Sequence, residues 1–173
     1  IIVIAVTMKS NPFSQYMGKR QNCRIFYGDE NCNTLILQLQ GFYQIFYKEM
    51  LFMYFDTHAH YDDERFDEDR DAVLSGMAEG GVSLIVNSGS SMASTRKARE
   101  IAEKYPFVYF SAGVHPHDSK EMTEESFTEL EEISRHPKCV AIGEIGLDYH
   151  YNLSPRDVQI LCFRQQMELA EKV

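Results

Sequence analysis

Two histidines one residue apart, His58 and His60, close the apolar run Tyr54-Phe55-Asp56-Thr57-His58-Ala59-His60. Alternate side chains of an extended strand share a face, so this spacing turns two imidazoles to one side and lets two nitrogens meet one metal ion. A second run, Cys139-Val140-Ala141-Ile142-Gly143-Glu144-Ile145-Gly146-Leu147-Asp148-Tyr149-His150, is again short and β-branched, breaks at glycine and places the carboxylate of Glu144 at its exit. Two neutral imidazoles and one carboxylate suit a divalent cation, which polarises a phosphoryl oxygen and lowers the pKa of bound water so that hydroxide is available near neutral pH. This chemistry requires that the two strand ends meet.

A barrel of parallel strands brings them together, because its site lies at the carboxyl ends of the strands. From Met53 onward the pattern is of that kind. The spacing predicts a helix from Phe66 to Gly80, ended by Gly80-Gly81, then a buried strand over Val82–Asn87. Ser90 or Ser91 caps a second helix that runs to Tyr105 and is stopped by Pro106. Phe107–Gly113 is a strand, Val114–Asp118 a loop around Pro116, and Glu124 to Arg135 a helix broken by His136-Pro137. After the Glu144 strand, Ser154-Pro155-Arg156-Asp157 opens the last helix, with serine as cap and proline in the first turn. Four strand–helix units with near-continuous apolar strands indicate a parallel sheet with crossover helices. A full eight-unit barrel takes about 250 residues, so this is the amino-terminal (βα)4 half of one.

At 173 residues with 44% hydrophobic content, the chain suits one α/β domain, and the opening Ile1–Val6 is too short to span a bilayer and lacks the features of a secretory leader. We therefore expect a cytoplasmic protein without a membrane partner. A net charge of −9 excludes binding of nucleic acid through a broad basic surface. Cys23, Cys32, Cys139 and Cys162 form no C-x-x-C pair and are expected to be reduced. Residues 1 to 50 differ from the rest, with five basic and three acidic side chains and no sustained periodicity. Thr34–Gln40 and Gly41–Tyr47 are candidate short strands within them. With Met8, Met50 and Met53 as candidate starts, residues 1–49 are read as a poorly structured extension outside the domain, and residues 50–173 as the domain.

Other polar residues have plainer readings. Asp56 shares the face of His58 and is assigned to hydrogen bonding at the strand end rather than to a metal. At His115 and His117, which flank Pro116, a structural turn and a substrate contact both stand. His136 and His150 are read as solvated or local hydrogen-bonding residues rather than as ligands. The acidic run from Asp62 to Asp71 lacks the glycine and terminal glutamate of a calcium loop and is read as a helix start.

Phe55-Asp56-Thr57-His58-Ala59-His60, Gly113-Val114-His115-Pro116-His117 and Ala141-Ile142-Gly143-Glu144-Ile145-Gly146-Leu147-Asp148-Tyr149 together resemble, in order and spacing, the TatD family of metal-dependent hydrolases. The resemblance covers residues 53 to 173. It implies an amidohydrolase-like TIM barrel that hydrolyses the phosphodiester bonds of DNA by metal-activated water. It further implies two divalent metal ions per complete site, with Mg, Mn or Zn as candidates. His58, His60 and Glu144 would be ligands, Glu144 would also be catalytic, and His115 would contact substrate. The family pattern continues with two histidines and an aspartate from later strands, positions this sequence does not contain. The alternative is therefore a catalytically incomplete half-barrel, and an open sheet of this kind is expected to self-associate.

Overall fold

Runs rich in Val, Ile and Phe alternate along the chain with amphipathic stretches, and each kind takes the structure its periodicity favours. A computed structural model describes Ile2–Thr7, by their backbone, and residues 54–173. The strands are β1 (Ile2–Thr7), β2 (Tyr54–Ala59), β3 (Val82–Ser88), β4 (Val108–Ala112) and β5 (Cys139–Leu147). The helices are α1 (Arg70–Gly76), α2 (Met92–Lys104), α3 (Glu124–Ser134) and α4 (Arg156–Lys172). The sheet runs in the order β1-β5-β4-β3-β2. β2 to β5 are parallel to one another, with a helical crossover between each and the next, which makes the α/β half-barrel that the alternation predicts.

β1 lies antiparallel on the outer edge of β5, pairing Ile2 with Leu147, Val3 with Gly146 and Ile4 with Ile145. It belongs to the stretch read as an extension. The candidate strands Thr34–Gln40 and Gly41–Tyr47 lie outside the described residues.

The core gathers Ile85 of β3, Phe110 of β4, and Ile142 and Ile145 of β5. Against them pack Leu74 of α1, Ile101 of α2, Leu130 and Ile133 of α3, and Leu169 of α4. Each such side chain contributes roughly 1.5–3 kcal/mol by leaving water. Helix starts follow their caps: Ser91 Oγ accepts from Ser94 N at 3.1 Å, and Thr123 Oγ1 accepts from Ser126 N at 3.2 Å.

Four local details differ from the expected pattern, and three of them shape the strand exits. The helix expected over 66–80 is divided into a 3-10 turn at Glu64–Phe66 and the short α1, with Gly81 in the left-handed region at φ 81° before β3. The segment after β4 is not an open loop: Pro116–Glu121 forms a 3-10 turn whose start is capped by His115 Nδ1, accepting from His117 N at 3.2 Å. Ser154 does not cap α4, whose N-cap is Pro155. The Ser154 hydroxyl instead donates to the carbonyl of His117 at 2.7 Å. Finally, β5 does not end at Gly143 but continues to Leu147, because β1 supplies partners for Ile145, Gly146 and Leu147.

Candidate metal centre

Glu144 stands beyond the last β4–β5 pair, Ala112 with Ile142, at the carboxyl-end rim of the parallel strands. It reaches that position because β4 and β5 approach closely there. A Cβ on Gly113 would lie 2.5 Å from the carbonyl carbon of Gly143, so only glycine fits. The backbone N–H of Glu144 then donates to Gly89 O at the exit of β3, at 2.6 Å.

Asp56 and His58 on β2 and His60 directly after it follow the period of two, and the two imidazoles meet as their spacing predicts. Their Nε2 atoms lie 3.2 Å apart with the rings edge to face. Glu144 Oε1 is 2.9 Å from His58 Nε2, and Oε2 is 3.8 Å from His60 Nε2. Ligand atoms of the three residues all fall within 4.8 Å of one another. Two imidazole nitrogens and a carboxylate oxygen converging on one point fit a divalent cation. Asp56 points elsewhere: its carboxylate accepts from His58 N at 3.2 Å and lies 3.5 Å from the Tyr61 hydroxyl, the local role expected of it.

The charges are mutually supporting. Burial works to raise the Glu144 carboxyl, but the His58 ring bonded to it and the His60 ring nearby outweigh burial and hold the group at about 2. The Glu144 carboxylate 3.8 Å away, against the opposing effect of burial, raises His60 above its ordinary value.

Supporting residues that the sequence pattern did not single out surround this trio. Asp62, read as part of a solvated helix start, has a buried side chain. It accepts from Asn87 Nδ2 at 2.7 Å and Ser94 Oγ at 2.5 Å, and lies 3.9 Å from His60 Nδ1. Ser88 Oγ is 3.4 Å from His58 Nδ1. Each imidazole thus has a polar group near its second nitrogen, the arrangement that orients a ligating histidine. Two buried glutamines of α4 brace the exits. Gln166 bonds both the N–H and the C=O of Val114, at 2.8 and 3.0 Å, and Gln159 does the same for Asp148. Their seven-residue spacing along α4 was a usable signal, since two amides on the apolar stripe of a helix need buried partners.

His115 lies beside this rim. Its N–H donates to Ser90 O at 2.8 Å, one residue along from the Gly89 carbonyl that receives Glu144. Burial, helped by the neighbouring His117, lowers its pKa, so the ring is neutral near pH 7. Its Nδ1 is used in capping the turn, which leaves Nε2 for any other contact. His136 accepts from Lys138 N through Nδ1 at 3.1 Å, a local role. A surface cavity of about 510 Å³ lies between α1 and α2, lined among others by Arg70, Asp71 and Lys104; none of His58, His60, His115 and Glu144 borders it.

Comparison with known proteins bears on this geometry. The family described as TatD related DNase matches residues 55–173. An uncharacterized metal-dependent hydrolase, YabD of Bacillus subtilis, is 44% identical over 121 residues, covering 70% of this chain and 48% of that protein. The 3'-5' ssDNA/RNA exonuclease TatD of Citrobacter koseri is 33% identical over 119 residues, covering 69% and 46%. The crystal structure of YJJV, a TatD homolog from Escherichia coli, superposes with a TM-score of 0.64 at 30% identity, covering 71% of this chain and 48% of that one. The chain spans about half the length of the curated relatives it matches.

Proposed function

Because the chain belongs to the TatD related DNase family of metal-dependent hydrolases, we propose that it hydrolyses phosphodiester bonds of DNA, with His58, His60 and Glu144 holding divalent metal. The observation that carries this reading is the convergence of those three side chains within 4.8 Å on two different strands. A nuclease relative named for single-stranded DNA and RNA supports nucleic acid as the substrate. Two metal ions per complete site, drawn from Mg, Mn and Zn, suit a donor set that mixes imidazole with carboxylate. Such cations, when bound, polarise a phosphoryl oxygen and make water acidic enough to attack near neutral pH.

The chain's own residues have distinct work in this reading. His58 and His60 present nitrogens whose second ring atoms lie near Ser88 and Asp62. Glu144 stays ionised at any physiological pH and offsets cationic charge. His115, neutral and half-buried, contacts the substrate through Nε2. The hydrolase domain comprises residues 50–173, in keeping with the family match, and residues 1–49 are an extension to it. Among the described residues no helix is long and apolar enough to cross a membrane. Buried unpaired thiols at Cys139 and Cys162 suit a reducing compartment, the cytoplasm. Tyr54 and Phe55 on the edge strand β2 are 64% and 40% exposed, which favours self-association along that edge.

The test is release of nucleotides from single-stranded DNA with added Mg, Mn or Zn, comparing the parent with a His58→Ala, His60→Ala variant and with a chelated control. Activity in the parent alone is expected. Activity unchanged in the double variant would overturn the ligand assignment, and absence of any metal-dependent release would overturn the nuclease reading.

A further inference from the structure

A second histidine–carboxylate pair stands apart from the metal trio. Asp148, directly after β5, is 1% exposed. Its Oδ2 is hydrogen-bonded to Nε2 of His117 in the turn after β4. Its Oδ1 accepts from the N–H groups of His150 and Tyr151, at 2.8 and 3.3 Å, and Gln159 holds its backbone on both sides. With every carboxylate oxygen engaged, Asp148 has little freedom, and neither has the ring it holds.

His117 is fixed at further points. Its carbonyl accepts from Ser154, its N–H donates to His115 Nδ1, and its ring meets the edges of His115 and Tyr151 at centroid distances of 4.3 and 5.8 Å. The side chain nonetheless keeps 28% of its surface in solvent, and its Nδ1 has no partner among the described residues. A ring tied at one nitrogen by a buried carboxylate and bare at the other is the arrangement of an oriented proton donor or acceptor. The turn that carries it and the strand that carries Glu144 hang from adjacent carbonyls, Ser90 and Gly89, so both face the same rim.

We propose that His117 is a general acid for the reaction and that Asp148 is its positioning residue; this rests on the phosphodiester hydrolysis proposed above. As the oxygen of the attacking water bonds to phosphorus, the bond from phosphorus to the departing sugar oxygen breaks. The Nδ1 proton of the His117 imidazolium passes to that oxygen, which leaves as an alcohol. The attacking water releases one proton to solvent and the neutral ring regains one from solvent, so one water is consumed per bond. Asp148 remains ionised throughout, accepting from Nε2–H and fixing which nitrogen faces the substrate.

The experiment compares the full chain with His117→Gln and Asp148→Asn on two substrates in the presence of Mn. One is a single-stranded oligonucleotide, whose sugar oxygen needs a proton to leave. The other is the p-nitrophenyl ester of thymidine 5'-phosphate, whose leaving group does not. The His117→Gln variant, which keeps a donor for Asp148, should lose about 100-fold on the oligonucleotide and less than about threefold on the aryl ester. The Asp148→Asn variant should lose about tenfold, with the same split between substrates. Equal losses on both substrates would overturn the proposal and leave the hydrolase reading standing. A parent inert on both would instead sink the hydrolase reading. The ring is then judged by itself, from ¹⁵N resonances of His117 titrated with thymidine 5'-monophosphate. A moving Nδ1 with Nε2 still protonated supports the oriented contact, and an unresponsive ring overturns it.

Discussion

β2 and β5 each carry part of the candidate metal centre, yet they are built in opposite ways. β5 is buried along most of its length, flanked by β4 and β1 and covered by α4. Among the described residues β2 is an edge strand paired with β3 alone, and most of its side chains are exposed. Glu144 therefore sits on a backbone that packing fixes, while His58 and His60 depend on their hydrogen-bonded neighbours for orientation. The less exposed carboxylate on the inner strand thus faces two more exposed imidazoles on the outer one.

The sharpest way to break this contrast is to loosen β5. Gly113→Ala places a methyl group into the Gly143 carbonyl and should destabilise the fold by about 3 kcal/mol in urea unfolding. An unfolding midpoint like the parent's would mean that the β4–β5 approach is not the rigid part.

Next in size is the centre itself. Glu144→Gln should weaken Mn or Zn binding by at least about 100-fold in calorimetric titration, since it removes the only anionic ligand of the trio. The pH dependence without metal follows from the same pair. Glu144 is held at about 2 against an ordinary 4.5, so its share of stability is present above 4.5 and is lost as the pH falls toward 2. His60 is raised above 6.5, so its share is present below 6.5 and is lost as the pH rises through the raised value. The stability gap between the parent and Glu144→Gln should thus peak at roughly 2 kcal/mol between pH 4.5 and 6.5 and shrink on either side. A gap that grows steadily with pH would contradict the pairing.

Gln166→Ala leaves the N–H and C=O of Val114 unpaired inside the protein and should cost about 2 kcal/mol. Thermal unfolding with the parent alongside measures it directly. On the other side of the contrast, Tyr54→Ser with Phe55→Ser should shift stability by no more than about 0.5 kcal/mol. The same pair of changes should lower the sedimentation-derived mass if β2 mediates association. A large loss of stability there would make β2 as integral as β5.

Much of the architecture was legible because periodicity reports burial. Val82–Asn87 and Phe107–Gly113 read as strands, and of the two candidate caps Ser90 and Ser91 it is Ser91 that opens α2, which ends just before Pro106. The turn after β4 was misjudged because Pro116 excludes helix at the residue before it, yet is well suited to open a 3-10 turn when His115 caps it. Ser154 looked like a cap because local signals were all that could be read. Its hydroxyl found the His117 carbonyl 37 positions away, which no local rule contains.

What the sequence determined by itself was the identity and facing of the chemical groups: His58 and His60 on one side of a strand, and Glu144 at the end of another. Alternation along a strand is a local geometric property, and it survives whatever the rest of the chain does. Tertiary structure decided which groups meet. It brought Glu144 to the imidazoles through the Gly113–Gly143 approach and turned Asp62 inward beneath His60. It also joined His117 to Asp148 across 31 positions. Those contacts depend on how closely strands approach and how the rim curves, which are set by packing of the whole sheet against its helices rather than by any segment alone.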